Sequence, residues 1–374
     1  MKKIVIIGAN NFQMPLIKKA KQLGYETHVF AWADGAVGAE FADYFYPISI
    51  IEKEKILEKC KEIKPDAITS VASDLATLTV NYLAEKLGLA GNSLECTKIS
   101  TNKYEMRKRF MHQDVKCPRF EVATTDNLPD VSNFRFPVIV KPTDRSGSRG
   151  VLKIEHPKQL KEAVSRAQTE SFSGEAIVEE FVQGREVSVE SISWEGKHYI
   201  LAITDKVTTR EPYFVELEHH QPTSLDEKVQ DKIRIETRKA LTAVGVKYGA
   251  GHSEFIITND NKVFAVEVGA RMGGDFIGSD LSYLSTGYDF LKGVIDVALG
   301  KFEEPEFIWN KHSGIFFLSK ETEFLKKIIE NSDNFTEIVT SEIIQSDLKH
   351  VESSGDRSGY LIYQSDKRMN YDRL

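Results

Sequence analysis

Cysteine is scarce in this sequence, and the few cysteines form no pattern. Cys60, Cys96 and Cys117 are the three cysteines of the 374-residue chain. An odd number of widely spaced cysteines predicts neither a disulfide framework nor a zinc knuckle. We therefore expect a protein of a reducing compartment, the cytoplasm.

Long hydrophobic runs and an excess of positive charge are also missing. No segment approaches the roughly 20 apolar residues of a membrane helix. The apolar run after Lys2 and Lys3 stops at Gly8, which is too short for the core of a signal peptide. The formal net charge is -7 at pH 7, which argues against general binding of nucleic acid or of anionic membranes. With 41% hydrophobic and 28% charged residues, the composition is that of an ordinary soluble globular protein.

Apolar and amphipathic segments alternate in the first part of the chain. The predicted segments are strands at 3–8, 26–32 and 66–71, and helices at 12–23, 51–63 and 75–87. Alternation at this spacing predicts parallel βαβ units and hence a doubly wound domain.

The turn after the first strand lacks the glycines of a dinucleotide site. Of the motif G-x-G-x-x-G only Gly8 is present, so backbone approach to a pyrophosphate is hindered. Asn10, Asn11, Ser73 and Asp74 instead follow the carboxyl ends of strands. They either line a crevice for a small molecule or cap the helices that follow.

Two lysines lie at positions that favour an anionic partner. Lys103 falls in the first turn of a helix predicted at 102–112, where a cation opposes the helix dipole. It either faces solvent or meets an anionic partner. Lys141 ends a strand at 138–140 and leads into the glycine- and serine-rich segment 142–150. Because this loop joins two strands, it predicts a flap over phosphates rather than a Walker loop; the alternative is an exposed flexible hairpin.

An acidic strand is predicted at 176–182, with the sequence AIVEEFV. Adenine recognition needs little beyond backbone groups and apolar walls, so residues 179–182 are candidates for an adenine-binding linker. Glu186, just beyond, would suit the ribose hydroxyls. Taken by itself, the segment predicts only an acidic edge strand.

A hairpin predicted within 252–274 carries the chemistry around which the chain is organised. Two apolar runs flank the turn signal at 259–261, so Glu254 and Glu267 are expected near each other. Carboxylates in apolar strands are costly to bury without a cation, and Mg²⁺ takes one or two carboxylates plus substrate phosphates. The pair therefore either binds a metal or points to solvent.

Five segments in order, NKYEMRKRF, VIVKPTDRSGSRGV, IVEEFVQGREVSVE, GHSEF and VEVGARMGG, resemble the ATP-grasp superfamily of carboxylate-amine ligases. The last two are most similar to the L-amino-acid ligases, which form dipeptides. The resemblance implies an α/β and α+β fold: a doubly wound N-terminal domain, then a two-lobed ATP-grasp fold with antiparallel sheets. The expected divisions are residues 1–92 for the doubly wound domain, 93–183 for the small lobe with its connecting helices and phosphate loop, 184–300 for the large lobe with the metal site, and 301–374 for a C-terminal subdomain.

The resemblance also implies residue roles. The implied ATP-binding residues are Lys103, Lys141, Ser146, Gly147, Ser148, Gly150, Glu179, Glu180, Phe181, Val182 and Glu186, and the implied magnesium ligands are Glu254 and Glu267. Arg271 matches an arginine that stabilises the acyl phosphate and the tetrahedral intermediate. Many family members carry an asparagine where this chain has Gly269, so we expect Glu267 to take a larger share of the coordination. Mn²⁺ is an alternative ion.

The implied reaction joins a small-molecule carboxylate to an amine, on amino-acid-like substrates, with release of ADP and phosphate. Arg271, Lys141 and His252 are the catalytic candidates. His252, His219 and His220 are candidates to contact substrate or accept the amine's proton, with a structural role as the alternative for at least one. Tyr213 belongs to a long polar loop at 207–224, expected to close the pocket. Asp275 either holds a substrate ammonium group or ends a turn.

Two other readings remain open at this point. One is an ATP-grasp enzyme acting on a different small acid, such as formate, bicarbonate or a nucleotide-precursor carboxylate. The other is a nucleotide-binding regulator without catalysis. Neither nucleic acid nor membrane is an expected partner, and a homodimer is the expected assembly.

Overall fold

A parallel four-stranded sheet forms the amino-terminal domain. The computed structural model describes residues 1–209, 211 and 213–370. The elements of this domain are β1 (Lys3–Ile7), α1 (Met14–Gln22), β2 (Glu26–Phe30), a 3₁₀ turn (Ala39–Phe41), β3 (Tyr44–Tyr46), α2 (Lys53–Ile63), β4 (Ala67–Thr69) and α3 (Asp74–Leu87). The strand order is β3-β2-β1-β4, all parallel. Ile4 and Ile6 pack into one core and Val5 and Ile7 into another, because helices cover both faces of the sheet.

Two helices lead from this domain into a small antiparallel sheet. The elements are α4 (Leu94–Thr101), α5 (Lys103–His112), β5 (Phe120–Ala123), β6 (Val138–Pro142), β7 (Leu152–Ile154), a 3₁₀ turn (Pro157–Gln159), α6 (Leu160–Glu170) and β8 (Ala176–Glu180). Asn102 caps α5 by accepting a hydrogen bond from the backbone N–H of Glu105, which fixes Lys103 as the first helical residue. The sheet order is β5-β8-β6-β7, and the segment 143–151 joins β6 to β7 as the predicted loop.

An eight-stranded antiparallel sheet makes up the rest of the fold. Its elements are β9 (Arg185–Trp194), β10 (Lys197–Thr208), β11 (Glu216–Gln221), α7 (Glu227–Val244), β12 (Gly249–Ile257), β13 (Val263–Gly269), a π-helical turn (Ile277–Leu281), α8 (Ser282–Thr286), α9 (Phe290–Ala298), β14 (His312–Leu318), α10 (Leu325–Glu330), a 3₁₀ turn (Ser332–Asn334), β15 (Ile338–Ile343), a 3₁₀ turn (Ser354–Asp356) and β16 (Gly359–Ser365). The order is β13-β12-β9-β10-β11-β14-β16-β15. The strands of the expected C-terminal subdomain thus extend this sheet; residues 371–374 of that subdomain lie outside the described residues. The prediction of a parallel first domain followed by antiparallel sheets is confirmed.

One local expectation was wrong. The segment 207–224 is not one long loop, since β11 lies buried between β10 and β14 although its sequence ELEHHQ is polar. Arg210 and Pro212 of that segment lie outside the described residues. The segment between residues 281 and 299 forms two helices, α8 and α9, because the chain turns at Gly287, which has φ +78° and no room for a side chain beside Ile308. None of the helices in the described part of the chain has the length and apolar character that a membrane crossing requires.

The hairpin of β12 and β13 forms as predicted, with a bulge that the sequence did not reveal. Glu254 pairs with Glu267, but the next pair is Phe255 with Ala265, so Val266 is an extra residue on β13. In a regular strand, Glu267 would share the core-facing side of Ala265. The bulge changes the phase, and Glu267 faces the opposite side together with Val266.

Candidate active site

A cavity of about 230 Å³ lies between the small sheet and the large sheet. Strands β6, β8, β10, β12 and β13 supply its walls, and the start of α5 and the β6–β7 loop close it. The predicted site residues on its wall are Lys103, Lys141, Ser146, Gly147, Ser148, Glu179, Glu180, Phe181, Val182, Glu186, His252, Glu254, Glu267 and Arg271. Segments far apart in the sequence therefore converge on one space.

The two lysines are held near the β6–β7 loop by different partners. The Lys103 ammonium donates to the carbonyl of Arg145 at 2.6 Å and lies 3.2 Å from Glu267 Oε2. Lys141 is buried on β6, with its Nζ 2.6 Å from Glu179 Oε2. Burial lowers the pKa of Lys141 in spite of that carboxylate.

Glu179 acts through its side chain rather than as a plain linker residue. Its Oε1 lies 2.6 Å from Nε of the fully buried Arg107, and its Oε2 faces Lys141. Burial alone would raise the pKa of Glu179, but Arg107 and Lys141 outweigh it and hold the pKa below the ordinary value. Glu179 is therefore a buried counter-ion that fixes Lys141 against the cavity wall.

Small residues and left-handed backbone shape the loop over the cavity. Gly147 and Gly150 have φ of +73° and +68°, and Ser148 has φ 57°, conformations that favour glycine. Gly150 lies against Pro142 and Glu170 rather than on the cavity wall. Arg145 and Arg149 also line the cavity, so this loop brings cations as well as backbone N–H groups.

Apolar side chains line another part of the cavity wall. Ile139, Phe181, Val182, Ile256 and Val266 contribute to the wall. Phe214, from the connection between β10 and β11, places its ring 6.4 Å from that of Phe181. Such a wall suits the flat face of a purine base.

Glu254 and Glu267 are cross-strand partners on the cavity wall. Glu254 Oε1 lies 2.8 Å from Lys206 Nζ and 3.2 Å from His252 Nε2. Burial opposes its charge, yet Lys206 and His252 hold the pKa of Glu254 well below the ordinary value. Both carboxylates thus meet cations in this structure.

The donor set fits a magnesium ion that is completed by phosphates. Within residues 1–209, 211 and 213–370 no group of three or more histidine, cysteine or acidic side chains forms a metal cage by itself. Two adjacent carboxylates are what Mg²⁺ takes from a protein when phosphate oxygens and water supply the remaining ligands. Gly269 offers no side-chain ligand there, and a Cβ at that position would lie 3.2 Å from Cζ of the Arg271 guanidinium.

Lys206 is a site residue that the sequence reasoning missed. Its buried ammonium lies 2.8 Å from Glu186, 3.2 Å from Glu216 and 2.8 Å from Glu254. Burial would lower the pKa of Lys206, but the three carboxylates raise it well above the ordinary value. A lysine at the end of the apolar run ILAIT in β10 was the available signal. Burial, with Glu254 and Glu216 nearby, in turn raises the pKa of Glu186.

Arg271 joins the large lobe to the amino-terminal domain. Its Nε and Nη2 donate to the two oxygens of Asp74 at 2.7 and 3.1 Å. Asp74 is the first residue of α3, so the predicted crevice residue reaches the site through a side-chain pair. Burial opposes both charges, yet the pair lowers the pKa of Asp74 and raises that of Arg271.

His252 is enclosed by two carboxylates. Its Nδ1 lies 2.5 Å from Glu190 Oε1, and its Nε2 faces Glu254. Burial disfavours the charged ring, but Glu190 and Glu254 raise the pKa of His252 to about 9. The two carboxylates favour the protonated ring, which argues against His252 as the acceptor of an amine's proton.

Four residues that were expected to contact the substrate do not line this cavity: Tyr213, His219, His220 and Asp275. His220 is buried and bonds to Glu218 and Tyr363. His219 is also buried, and in the described chain neither of its ring nitrogens has a hydrogen-bond partner; its Nε2 lies 3.9 Å from Asp275. Asp275 accepts two hydrogen bonds from Arg357. Tyr213 contacts Glu352.

Part of the chain matches a known protein domain family. The ATP-grasp domain family matches residues 134–280, a range that holds Lys141, both carboxylates and Arg271. A D-alanine–D-alanine ligase from Francisella tularensis subsp. holarctica is 25% identical over 255 residues, covering 66% of this chain and 84% of that enzyme. Residues 134–280 therefore match an ATP-grasp domain, as predicted, and the relatives that match the chain in sequence include ligases by name.

Solved structures show the same fold over nearly the whole chain. The L-amino acid ligase from Bacillus licheniformis superposes with a TM-score of 0.81 at 20% identity, covering 100% of this chain and 94% of that one. Phosphoribosylglycinamide synthetase from Anaerococcus prevotii gives a TM-score of 0.76 at 20% identity, covering 98% and 94%. Biotin carboxylase from Campylobacter jejuni gives 0.75 at 19% identity, covering 98% and 88%. The fold is therefore shared by an L-amino acid ligase, a phosphoribosylglycinamide synthetase and a biotin carboxylase.

Proposed function

We propose that this chain is an ATP-dependent carboxylate-amine ligase that forms an amide or peptide bond between amino-acid-like substrates. The observation that carries the proposal is the convergence of Lys103, Lys141, Glu254, Glu267 and Arg271 on one cavity beneath a glycine-rich loop. This combination supplies cations for phosphates, two carboxylates for a metal and a guanidinium for a developing negative charge.

The reaction has two steps. A carboxylate oxygen of the first substrate attacks the γ-phosphorus of ATP; the bond between that phosphorus and the bridging oxygen breaks, and ADP leaves. The amine of the second substrate then attacks the carbonyl carbon of the acyl phosphate, phosphate leaves, and the amine loses a proton. The result is an amide, ADP and phosphate.

The chain's own residues contribute mainly charge and position. Lys103 and Lys141 line the cavity and would face the phosphates, and the loop residues Ser146, Gly147 and Ser148, which also line it, would offer backbone N–H groups. Glu254 and Glu267 would hold magnesium, which supplies charge neutralisation on the phosphate oxygens when it is bound. Arg271, oriented by Asp74, is placed to stabilise negative charge on the reacting acyl group.

The choice of amino-acid-like substrates rests on two similarities: the D-alanine–D-alanine ligase in sequence and the L-amino acid ligase in fold. The alternative is an ATP-grasp ligase for another small acid, supported by the shared fold of biotin carboxylase and phosphoribosylglycinamide synthetase. A cytoplasmic location and a homodimer stay predictions.

ADP release decides between these readings. The purified chain is incubated with ATP and Mg²⁺ and with amino acids added singly and in pairs, and products are identified by mass spectrometry. Release that depends on a pair, with a product of the mass of a dipeptide, supports the proposal. Release with a single acid points to another acceptor, and no release with any acid points to a nucleotide-binding regulator.

Glu267→Gln supplies the matched test of the site. The variant keeps the side-chain volume but removes one of two carboxylates for the metal, so ADP release should fall to background. Glu195→Gln, in the exposed turn between β9 and β10, should turn over like wild type. Wild-type turnover by Glu267→Gln at saturating Mg²⁺ would show that the metal assignment is wrong.

A further inference from the structure

Glu190 is a buried carboxylate that the reaction described above does not use. It lies on β9, directly opposite His252 on β12, and its side chain is fully buried. A buried carboxylate is costly unless both oxygens find donors. Glu190 Oε1 lies 2.5 Å from His252 Nδ1, and Oε2 accepts the backbone N–H of Gly273 at 3.0 Å.

The two partners of Glu190 belong to two different parts of the site. His252 stands two residues before Glu254 on the same face of β12, and its Nε2 lies 3.2 Å from Glu254 Oε1. Gly273 stands two residues after Arg271, in the turn that leaves β13. One carboxylate therefore joins the strand that carries a metal carboxylate to the turn that carries the arginine.

The surrounding glycines show that the space beside Glu190 is fitted closely. A Cβ at Gly273 would lie 2.5 Å from Glu190 Oε1 and 2.7 Å from His252 Nδ1. A Cβ at Gly278 would meet Met272 first, at 2.1 Å from its Cγ, and would lie 3.1 Å from Glu190 Oε2. At Gly273 there is thus no room for a side chain, because the backbone of the turn comes right up to the carboxylate and the histidine ring.

We propose that Glu190 is a positioning residue that sets the distance between the metal carboxylate Glu254 and the Arg271 turn. It acts through the His252 ring on one side and through the Gly273 amide on the other. The inference rests on the proposed function, since it assigns Glu254 to the metal and Arg271 to the reacting acyl group.

Glu190→Gln tests the link with minimal change of volume. Glutamine keeps one acceptor oxygen, so only one of the two contacts can persist. Partners that orient a metal ligand typically contribute 10–100-fold to metal affinity or activity. We expect kcat for ADP release to fall by about that factor and the Mg²⁺ concentration for half-maximal activity to rise about tenfold, while KM for ATP changes by less than about threefold because the base and phosphate contacts remain.

Asp205→Asn is the matched control. Asp205 is also a buried carboxylate of the same sheet, on β10, but it bonds to Thr223, Ser224 and Arg368. Its loss should lower the melting temperature without changing the Mg²⁺ requirement. His252→Gln is the second variant, and it removes the ring through which Glu190 reaches Glu254. If Glu190→Gln does not fold, His252→Gln must show the raised Mg²⁺ requirement by itself, and a wild-type requirement overturns the proposal.

The double variant Glu190→Gln/His252→Gln gives a readout that a merely structural role would not move. Residues that act in series show non-additive effects, so the double variant should be no more than about threefold slower than the worse single variant. Effects on kcat that multiply independently would overturn the proposed chain of contacts. An unchanged Mg²⁺ requirement in Glu190→Gln would overturn the proposal itself.

Mn²⁺ binding separates this inference from the proposed function. Electron paramagnetic resonance measures free Mn²⁺ in the presence of a non-hydrolysable ATP analogue and needs no turnover. Weaker Mn²⁺ binding by Glu190→Gln than by Asp205→Asn supports the positioning role even if no acid and amine pair gives ADP. Equal Mn²⁺ binding by the two variants, with an active wild type, overturns the positioning role and leaves the ligase proposal standing.

Discussion

The guanidinium of Arg271 and the carboxylate of Asp74 form a two-bond pair across the boundary between the large sheet and the amino-terminal domain, at 2.7 and 3.1 Å. Arg271 follows the end of β13 and Asp74 begins α3, so the first domain helps to orient an arginine of the proposed active site. A single fixed orientation of a planar guanidinium is what a bidentate partner provides.

Asp74→Asn should slow catalysis more than it weakens nucleotide binding. Asparagine retains one acceptor but removes the charge that holds both Arg271 nitrogens, leaving a buried guanidinium without its counter-ion. We expect kcat to fall at least tenfold, equivalent to about 1.4 kcal/mol, with little change in the Kd for ATP. Steady-state ADP release and nucleotide titration measure the two quantities.

Lys19→Met controls for a general loosening of the two domains. Lys19 on α1 pairs with Asp289 at 2.8 Å and so joins the same two parts of the chain, away from the cavity. This variant should keep the wild-type kcat. If both variants slowed catalysis equally, domain contact in general, rather than the orientation of Arg271, would explain the loss.

The site could be predicted from the sequence where chemistry lies in contiguous segments. Three features could each be predicted from their own segment: the loop after Lys141, the hairpin of Glu254 and Glu267, and the helix start at Lys103. Lys206, Glu190 and the Asp74 contact were not predicted, because they depend on the order β13-β12-β9-β10-β11 and on the position of a separate domain. The order of strands in the sheet decides which side chains from strands distant in the sequence share a face, and spacing along the chain does not.

The bulge at Val266 is another feature of the site that could not be predicted from the sequence, although it lies within one hairpin. Regular alternation would have put Glu267 on the core side with Ala265, and the bulge alone turns it into the cavity. Its backbone is anchored, since Arg107 donates to the carbonyl of Val266 at 2.6 Å. No residue type in VFAVEVG marks such a position.

Deletion of Val266 should lower stability while Glu267 stays on the cavity side. Without the extra residue, Ala265 and Glu267 follow each other in regular alternation, so Ala265 still faces the core and Glu267 still faces the cavity. The deletion removes the carbonyl that accepts from the buried Arg107, and a buried donor without its acceptor is costly. We expect a lower melting temperature, with ADP release retained in part. Val266→Ala, which keeps the extra residue and the backbone contact, should melt close to wild type; a deletion variant as stable as wild type would contradict the anchoring role given to Val266, and one that folds but releases no ADP would contradict the orientation given to Glu267.

His198 should make folding stability depend on pH. Its buried ring bonds to the hydroxyls of Ser193 and Thr242 at 2.8 and 3.1 Å, and burial, together with Arg238, lowers the pKa to about 4 from an ordinary value of 6.5. Below pH 6.5 the unfolded chain takes up a proton that the folded chain refuses. The contribution of this group is complete above pH 6.5 and is lost progressively as the pH falls toward 4.

Urea unfolding at pH 7.5 and pH 5 measures this effect. His198→Asn should lose less stability between the two pH values than wild type, whereas His350→Asn should behave like wild type because His350 is largely exposed. An equal loss in His198→Asn and wild type would mean that this ring does not titrate as its burial implies.

Lys206→Met should cost more folding stability at high pH than at low pH, which is the opposite of the pH dependence that His198 causes. Lys206 is the shared cation of Glu186, Glu216 and Glu254, and without it three carboxylates face one another in a confined space. Removing one partner of a buried ion pair typically costs about 3–5 kcal/mol of stability. The remaining carboxylates should take up protons in the folded state, so their folded pKa rises above the unfolded value. Their favourable contribution is then present at low pH and lost as the pH rises through the folded pKa.

We expect urea unfolding to show a larger deficit of Lys206→Met relative to wild type at pH 7.5 than at pH 5.5. Lys206→Arg keeps the charge and should show a smaller deficit that is alike at both pH values; a pH-independent deficit in Lys206→Met would contradict the three-carboxylate arrangement.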